Sequence, residues 1–167
     1  MADLAAVMRL QWAAGLSADA GALRAAVVDD DRLVVVAAVD GEVVGWAKTH
    51  RYRVADGAAR AGHYLGGVTV HPRWRRHGIG TLLTTARMEW LAVRTDRVHY
   101  LVNARNGESI ALHRRWGFVE VARARSFHGV TFAGGSGVLL SVRPGAPRVP
   151  PAPGDEVSAA GSPRSSG

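Results

Sequence analysis

The run "HPRWRRHGIG", residues 71–80, gathers Arg73, Arg75 and Arg76 with His71 and His77 ahead of Gly78 and Gly80. It stands between an apolar run, "YLGGVTV", and "TLLTTARMEWLAV", whose apolar residues recur at helical spacing. Glycines at a strand-to-helix junction let the backbone turn tightly and leave the first helical N–H groups uncovered. Those groups and the helix dipole make an anion site, each dipole interaction contributing roughly 0.3–1 kcal/mol, and up to ~2 when partly buried. Neighbouring arginines add charge-assisted contacts. A pyrophosphate suits that geometry. Other phosphate loops fit poorly: a P-loop needs a lysine that is absent here, and a dinucleotide fingerprint needs a third glycine.

A second run, "NGESIALHRRWGF" at 106–118, reads as a short helix with Asn106 as N-cap and Gly117 as stop. Around these two runs the sequence predicts helices over 2–14 and 18–28, with Ser17 or Asp19 capping the second. "RLVVVAAVD" and "EVVGWAKTHRY" are strand-like and joined through a "DG" turn signal. "HYLGGVTV" (63–70) is a third strand, whose Gly66-Gly67 pair suggests a bulge or a close approach to the backbone. A helix over 79–94 presents Ile79, Leu82, Leu83, Ala86, Trp90 and Val93 as its apolar stripe. "RVHYLVNA" (97–104) is a strand, and "FVEVARARSF" with "SGVLLSV" forms an antiparallel pair. The expected class is α/β, a mixed and mostly antiparallel sheet flanked by helices.

Together, "GVTVHPRWRRHGIGTLL" and "N-x-x-S-I-A-L-H-x-x-x-G-F" resemble the GNAT superfamily of acyl-CoA-dependent N-acyltransferases, over about residues 30–143. The resemblance implies that backbone groups of Val68, Thr69 and Val70 pair with the pantetheine arm of acetyl-CoA. It implies that N–H groups from Arg76 through His77, Gly78, Ile79 and Gly80 to Thr81 hold the pyrophosphate, with Arg75 framing the loop. Asn106 and Ser109 would bind the arm from the other side, and the Val70 amide would face the thioester oxyanion. An amine would then attack the thioester directly, in keeping with a chain that has no cysteine.

The chain departs from the family pattern in three places. His113 stands where many members carry a tyrosine that protonates the departing thiolate. With a thiol pKa near 8.5 that step is worth only about 2 kcal/mol at pH 7, so a histidine can supply it; the alternative is a ring that merely packs. Tyr64 stands where members often place a glutamate base, and Leu101 where others do, so either Tyr64 or His63 works through water, Glu120 or a substrate-loop residue substitutes, or the substrate amine has a low pKa. Third, members usually open with a short strand, whereas this chain begins at a helix, which leaves the first edge strand missing or upstream.

Several features have plainer readings. Trp12, Trp46 and Tyr52 either pack or line a cleft, and His128 and Phe132 lie in a glycine-rich connection where the family closes over its acceptor. The 167 residues suit one domain over 1–143, followed by a Pro/Gly/Ser-rich tail over 144–167 that reads as disordered. The longest apolar run, "LVVVAAV", is too short for a bilayer, no secretory signal opens the chain, and a cytoplasmic enzyme without metal is expected. The +7 charge rests almost wholly on arginine, Lys48 being the sole lysine. Nucleic acid is disfavoured, since no stacking platform is evident. The partners expected are acetyl-CoA and a small amine, with a homodimer left open. The rival reading is an acyl-CoA-binding protein with little or no turnover.

Overall fold

The computed structural model describes residues 2–17 and 19–145. Two helices come first, α1 (Ala2–Ala13) and α2 (Ala20–Val27). Asp19 caps the second by accepting the Ala22 N–H at 2.9 Å. Strands β1 (Val34–Val39) and β2 (Glu42–Tyr52) then pair through Asp40-Gly41, whose φ angles are 48° and 81°. Positive φ at both central residues is the geometry a two-residue hairpin needs, which explains the Asp-Gly choice.

Strand β3 (Gly62–Val70) leads through one 3-10 turn (Pro72–Trp74) into α3 (Ile79–Ala92), followed by β4 (Val98–Asn103) and α4 (Gly107–Arg114). The chain ends with β5 (Val119–Ala124), a small hairpin of β6 (Ser126–Phe127) and β7 (Val130–Thr131), and β8 (Gly137–Val142). The six-stranded sheet has the order β1-β2-β3-β4-β8-β5, antiparallel except for the β3–β4 pair. β8 thus lies between β4 and β5, and the expected antiparallel pairing of the last two long strands is present. No strand precedes α1 among the described residues, and β1 forms an edge of the sheet.

The helices divide between the two faces. Val7, Leu10 and Leu23 from α1 and α2 pack on Trp46. On the other face α3 and α4 cover Leu65, Tyr100, Val102 and Leu140, with Met88, Leu91 and Trp116 filling between them. The expected stripe on α3 is rotated. Leu82 and Val93 are 60% and 82% exposed, while Thr84 and Arg87 are fully buried beside Leu83, Met88 and Leu91. Hydrophobic periodicity missed this face because two of its core positions are polar and find partners inside. The Thr84 hydroxyl donates to the Gly80 carbonyl at 2.8 Å, and Arg87 reaches across to the sheet. Of the expected tail, residues beyond 145 lie outside the described ones.

Candidate active site

β3 and β4 run parallel but pair only from His63–Val98 to Leu65–Tyr100. Past that point each keeps its outer neighbour: β3 stays with β2 as far as Val70, and β4 stays with β8 as far as Asn103. The two inner edges therefore part, and their backbone groups face one another across a wedge. A bulge begins the parting. The β2–β3 register shifts between Ala47 and Thr49, so that Gly66 and Gly67 together oppose Lys48. Arg87 holds this bulge from the α3 side, donating through Nη1 to the carbonyls of Gly66 (3.0 Å) and Lys48 (3.3 Å). Its Nε binds Leu83 O at 3.2 Å and its Nη2 the Thr84 hydroxyl at 3.0 Å. Burial brings the Arg87 pKa down to about 10, which still leaves it charged at neutral pH. Only glycine fits at 66, since a Cβ there would lie 2.8 Å from Lys48 Cγ and 2.9 Å from His50 Cδ2.

The wedge opens towards the N-terminus of α3. Gly78 is the N-cap, in a left-handed conformation with φ 78°, and Arg76 also has positive φ, 66°. The first bond returning into the helix is Leu82 N–H to Gly78 O, 2.9 Å. The N–H groups of Arg76, His77, Gly78, Ile79, Gly80 and Thr81 donate to no described residue. Open space lies where a Gly78 side chain would be. His77 Nδ1 donates to the Arg75 carbonyl at 2.8 Å and its ring meets Trp74 edge-on, which fixes the loop rather than presenting the imidazole. The loop thus brings together the run of donors the sequence predicted.

Across the wedge, Ser109 is the hub of α4. Its N–H is capped by Asn106 Oδ1 (3.1 Å), its hydroxyl shares a 2.7 Å bond with the Tyr100 hydroxyl, and its carbonyl takes His113 Nδ1 at 2.7 Å. Asn106 also lines an opening of about 440 Å³ at the end of β4 with Asn103, Arg105 and Gly107. His113 is buried, stacks on Tyr100 at 3.9 Å and meets Phe118 edge-on. A carbonyl can only accept, so Nδ1 carries the proton. Burial lowers the His113 pKa to about 4, which leaves the ring neutral at pH 7, and Nε2 has no partner among the described residues.

The opposite face of the sheet holds a second cleft. A cleft of about 440 Å³ lies between α1, α2 and the sheet, with Val7, Leu23 and Trp46 as apolar wall and Gly67, Val68 and Thr69 as floor. The Thr69 hydroxyl donates to Gln11 Oε1 at 2.8 Å, so its side chain serves this cleft while its backbone belongs to the wedge. Trp46 lines the cleft and packs the core at once, whereas Trp12 is 68% exposed and does neither.

Tyr64 is buried and its hydroxyl is committed. It donates to the Arg60 carbonyl at 2.6 Å and accepts from His128 Nε2 at 3.1 Å, while His128 stacks on Tyr52. Burial raises its pKa well above the usual phenol range, so it offers no base at neutral pH. His63 faces the α3 side, edge-on to Trp90. Glu120 is paired with Arg123 at 2.6 Å on edge strand β5. Phe132 packs edge-on against Phe127. The structure adds a residue that sequence reasoning passed over: His50 lies on Gly66 at the head of the wedge, with no hydrogen bond to a described residue. Burial and the Lys48 charge bring its pKa to about 4, so its ring is neutral. The alternation of β2 was the available signal, since it places Trp46, Lys48, His50 and Tyr52 on one face.

The sheet thus parts between its two parallel strands, with bare helix amides at the mouth of the wedge. Residues 4–118 match the Acetyltransferase (GNAT) family, and the chain belongs to that family of acetyltransferases. Among solved structures the fold is similar to the ribosomal-protein-S18-alanine N-acetyltransferase of Escherichia coli, with TM-score 0.68 and 20% identity, covering 86% of this chain and 89% of that one. It is also similar to the ribosomal-protein-alanine N-acetyltransferase of Brucella melitensis, with TM-score 0.68 and 25% identity over 85% and 94% of the chains. A third likeness is to yncA of Salmonella typhimurium, a putative acetyltransferase solved with acetyl-CoA, at TM-score 0.66 and 21% identity over 90% and 94%. No curated protein matches. No helix among the described residues is long and apolar enough to cross a membrane, and their His, Asp and Glu side chains form no cluster of three suited to a metal ion.

Proposed function

We propose that this protein transfers the acetyl group of acetyl-CoA directly to the amine of a small-molecule acceptor. The observation that carries the reading is the continuity between the bare amides of Arg76–Thr81 and the unpaired edge of β3. Acetyl-CoA is the co-substrate that fits both: pyrophosphate on the loop, framed by Arg75, and pantetheine along Val68, Thr69 and Val70. Asn106 bounds the arm from α4. The small cleft above Gly67 supports a small acceptor rather than a protein surface.

The amine lone pair attacks the thioester carbon, and the carbonyl electrons pass to oxygen, facing a β3 amide beside the bulge, such as that of Val68, two residues past the Gly66 on which His50 lies. The proton of the tetrahedral adduct goes to the bare nitrogen of His50. The C–S bond then breaks, and the thiolate recovers a proton from the imidazolium. A base of low pKa is weak towards a free ammonium ion, but its conjugate acid readily protonates a thiolate of pKa near 8.5. His113, buried, neutral and stacked on Tyr100, takes the packing role rather than that of the acid; Tyr64 supports the wall on which His50 lies.

Thiol release from acetyl-CoA, measured over a panel of primary amines, tests the reading. Amine-dependent release in the wild type, reduced at least a hundredfold in His50→Ala and partly restored by added imidazole, is expected. Tight acetyl-CoA binding with no amine-dependent release would favour the rival, a binding protein without turnover.

A further inference from the structure

Lys48 stands in an unusual position for a chain whose other cations are all arginine. It lies on β2 opposite the Gly66-Gly67 bulge, and its side chain lines the acceptor cleft beside Trp46 and Thr69. Its ammonium reaches over the Trp46 ring, 5.7 Å from the centroid. Among the described residues no carboxylate or carbonyl bonds to it. Arg51, Arg53, Arg32 and Arg123 all have ion-pair partners, at distances from 2.6 to 3.1 Å. Lys48 has lost much of its water without gaining one: burial and the nearby Arg32 charge lower its pKa, and Asp19 only partly offsets this. A partly desolvated cation is costly unless something anionic meets it.

The rest of the cleft narrows the choice. Val7, Leu16, Leu23 and Trp46 give it an apolar wall. Asp19, the one carboxylate in its lining, is occupied in part by the α2 cap. The cleft therefore offers an apolar surface, an ammonium to which no described residue is bonded and a floor that is the cofactor strand itself. The Lys48 Cγ is close enough to Gly66 to exclude any side chain there, so the cation is rooted beside the reacting edge.

Resting on the acetyltransfer reading, we infer that the acceptor is a small amine that carries a carboxylate, of the amino-acid type, and that Lys48 is the residue that selects it. The carboxylate ion-pairs with the Lys48 ammonium, the side chain lies along Val7, Leu23 and Trp46, and the amine is left at the bulge. No proton or bond changes at Lys48. It acts on binding and orientation, so its loss raises KM for the acceptor more than it lowers kcat.

The test compares the standard L-amino acids with their amides and their decarboxylated amines as acceptors for wild type, Lys48→Met and Lys48→Arg. The expected wild-type result is a kcat/KM at least tenfold higher for the acids than for the matched amides. That ratio collapses towards unity in Lys48→Met, through KM, and is largely kept in Lys48→Arg. Turnover of amides or decarboxylated amines as good as that of the acids overturns the inference and leaves acetyltransfer standing. A preference unchanged in Lys48→Met also overturns it. If no amine of any kind releases thiol from bound acetyl-CoA, acetyltransfer itself fails and the inference falls with it.

Discussion

The buried guanidinium of Arg87 donates to the carbonyl of Gly66 at 3.0 Å, so a helix residue holds the bulge at which the sheet divides. Two side chains of β2, Lys48 and His50, close on the same glycine from the other face. The point where β3 leaves β4 is thereby fixed from above and below.

Replacing Arg87 by methionine fills the space but takes the side-chain donor from the Gly66 and Lys48 carbonyls and from the Thr84 hydroxyl. A loss of about 2–4 kcal/mol in urea unfolding is expected, from unsatisfied buried acceptors. At a temperature where the variant stays folded, its acetyl-CoA dissociation constant should rise at least tenfold. Arg87→Lys, which keeps the charge but not the fork, should fall between. Unchanged affinity in both folded variants would mean the bulge holds itself.

Gly78 and Gly41 both sit in left-handed backbone, at φ 78° and 81°, with open space around them. Valine at either place costs roughly 1–2 kcal/mol of backbone strain. Only Gly78→Val should weaken acetyl-CoA binding in calorimetry, because only that residue shapes the amide run. Equal affinity in the two variants would remove the loop from the cofactor site.

Much of this architecture is legible in the residues. Asp-Gly dictates the first hairpin, Gly66-Gly67 announces the bulge, and the glycines after Arg76 mark the bare helix start. The strand order at β8 was not legible, because pairing between β4 and β8 joins segments far apart in sequence. Nor was the buried face of α3, where Thr84 and Arg87 satisfy themselves internally and defeat a reading by hydrophobic period. His50 and Lys48 escaped for a related reason: their importance comes from what they face, and only the register of β2 against β3 shows it.

Tyr64 was a natural candidate for chemistry, yet its hydroxyl is bonded to Arg60 and His128. Tyr64→Phe should therefore lose about 1 kcal/mol of stability and change amine-dependent turnover by less than threefold. A hundredfold fall in kcat with the fold intact would return the tyrosine to the reacting centre.

Acid should destabilise the fold in a defined window. His99 and His113 are buried, and burial holds both at about 4, against 6.5 when unfolded. Below pH 6.5 the unfolded chain binds protons that the native rings refuse, so stability is complete above that pH and falls as pH drops towards 4. Each ring contributes about 2–3 kcal/mol of loss by pH 4. Urea midpoints measured from pH 7.5 to 4.5 should show this slope, and His113→Phe should make it shallower, leaving the shares of His99 and His50. A midpoint independent of pH in that range would place the two rings in water.

The most direct measurement is titration of the 15N-labelled protein with acetyl-CoA while following its backbone amide resonances. The largest shifts should fall on Arg76 through Thr81, followed by Val68 to Val70, with Asn106 and Ser109 moving less. Shifts confined to other surfaces, or none at saturating acetyl-CoA, would contradict the placement of the cofactor in the wedge between β3 and β4.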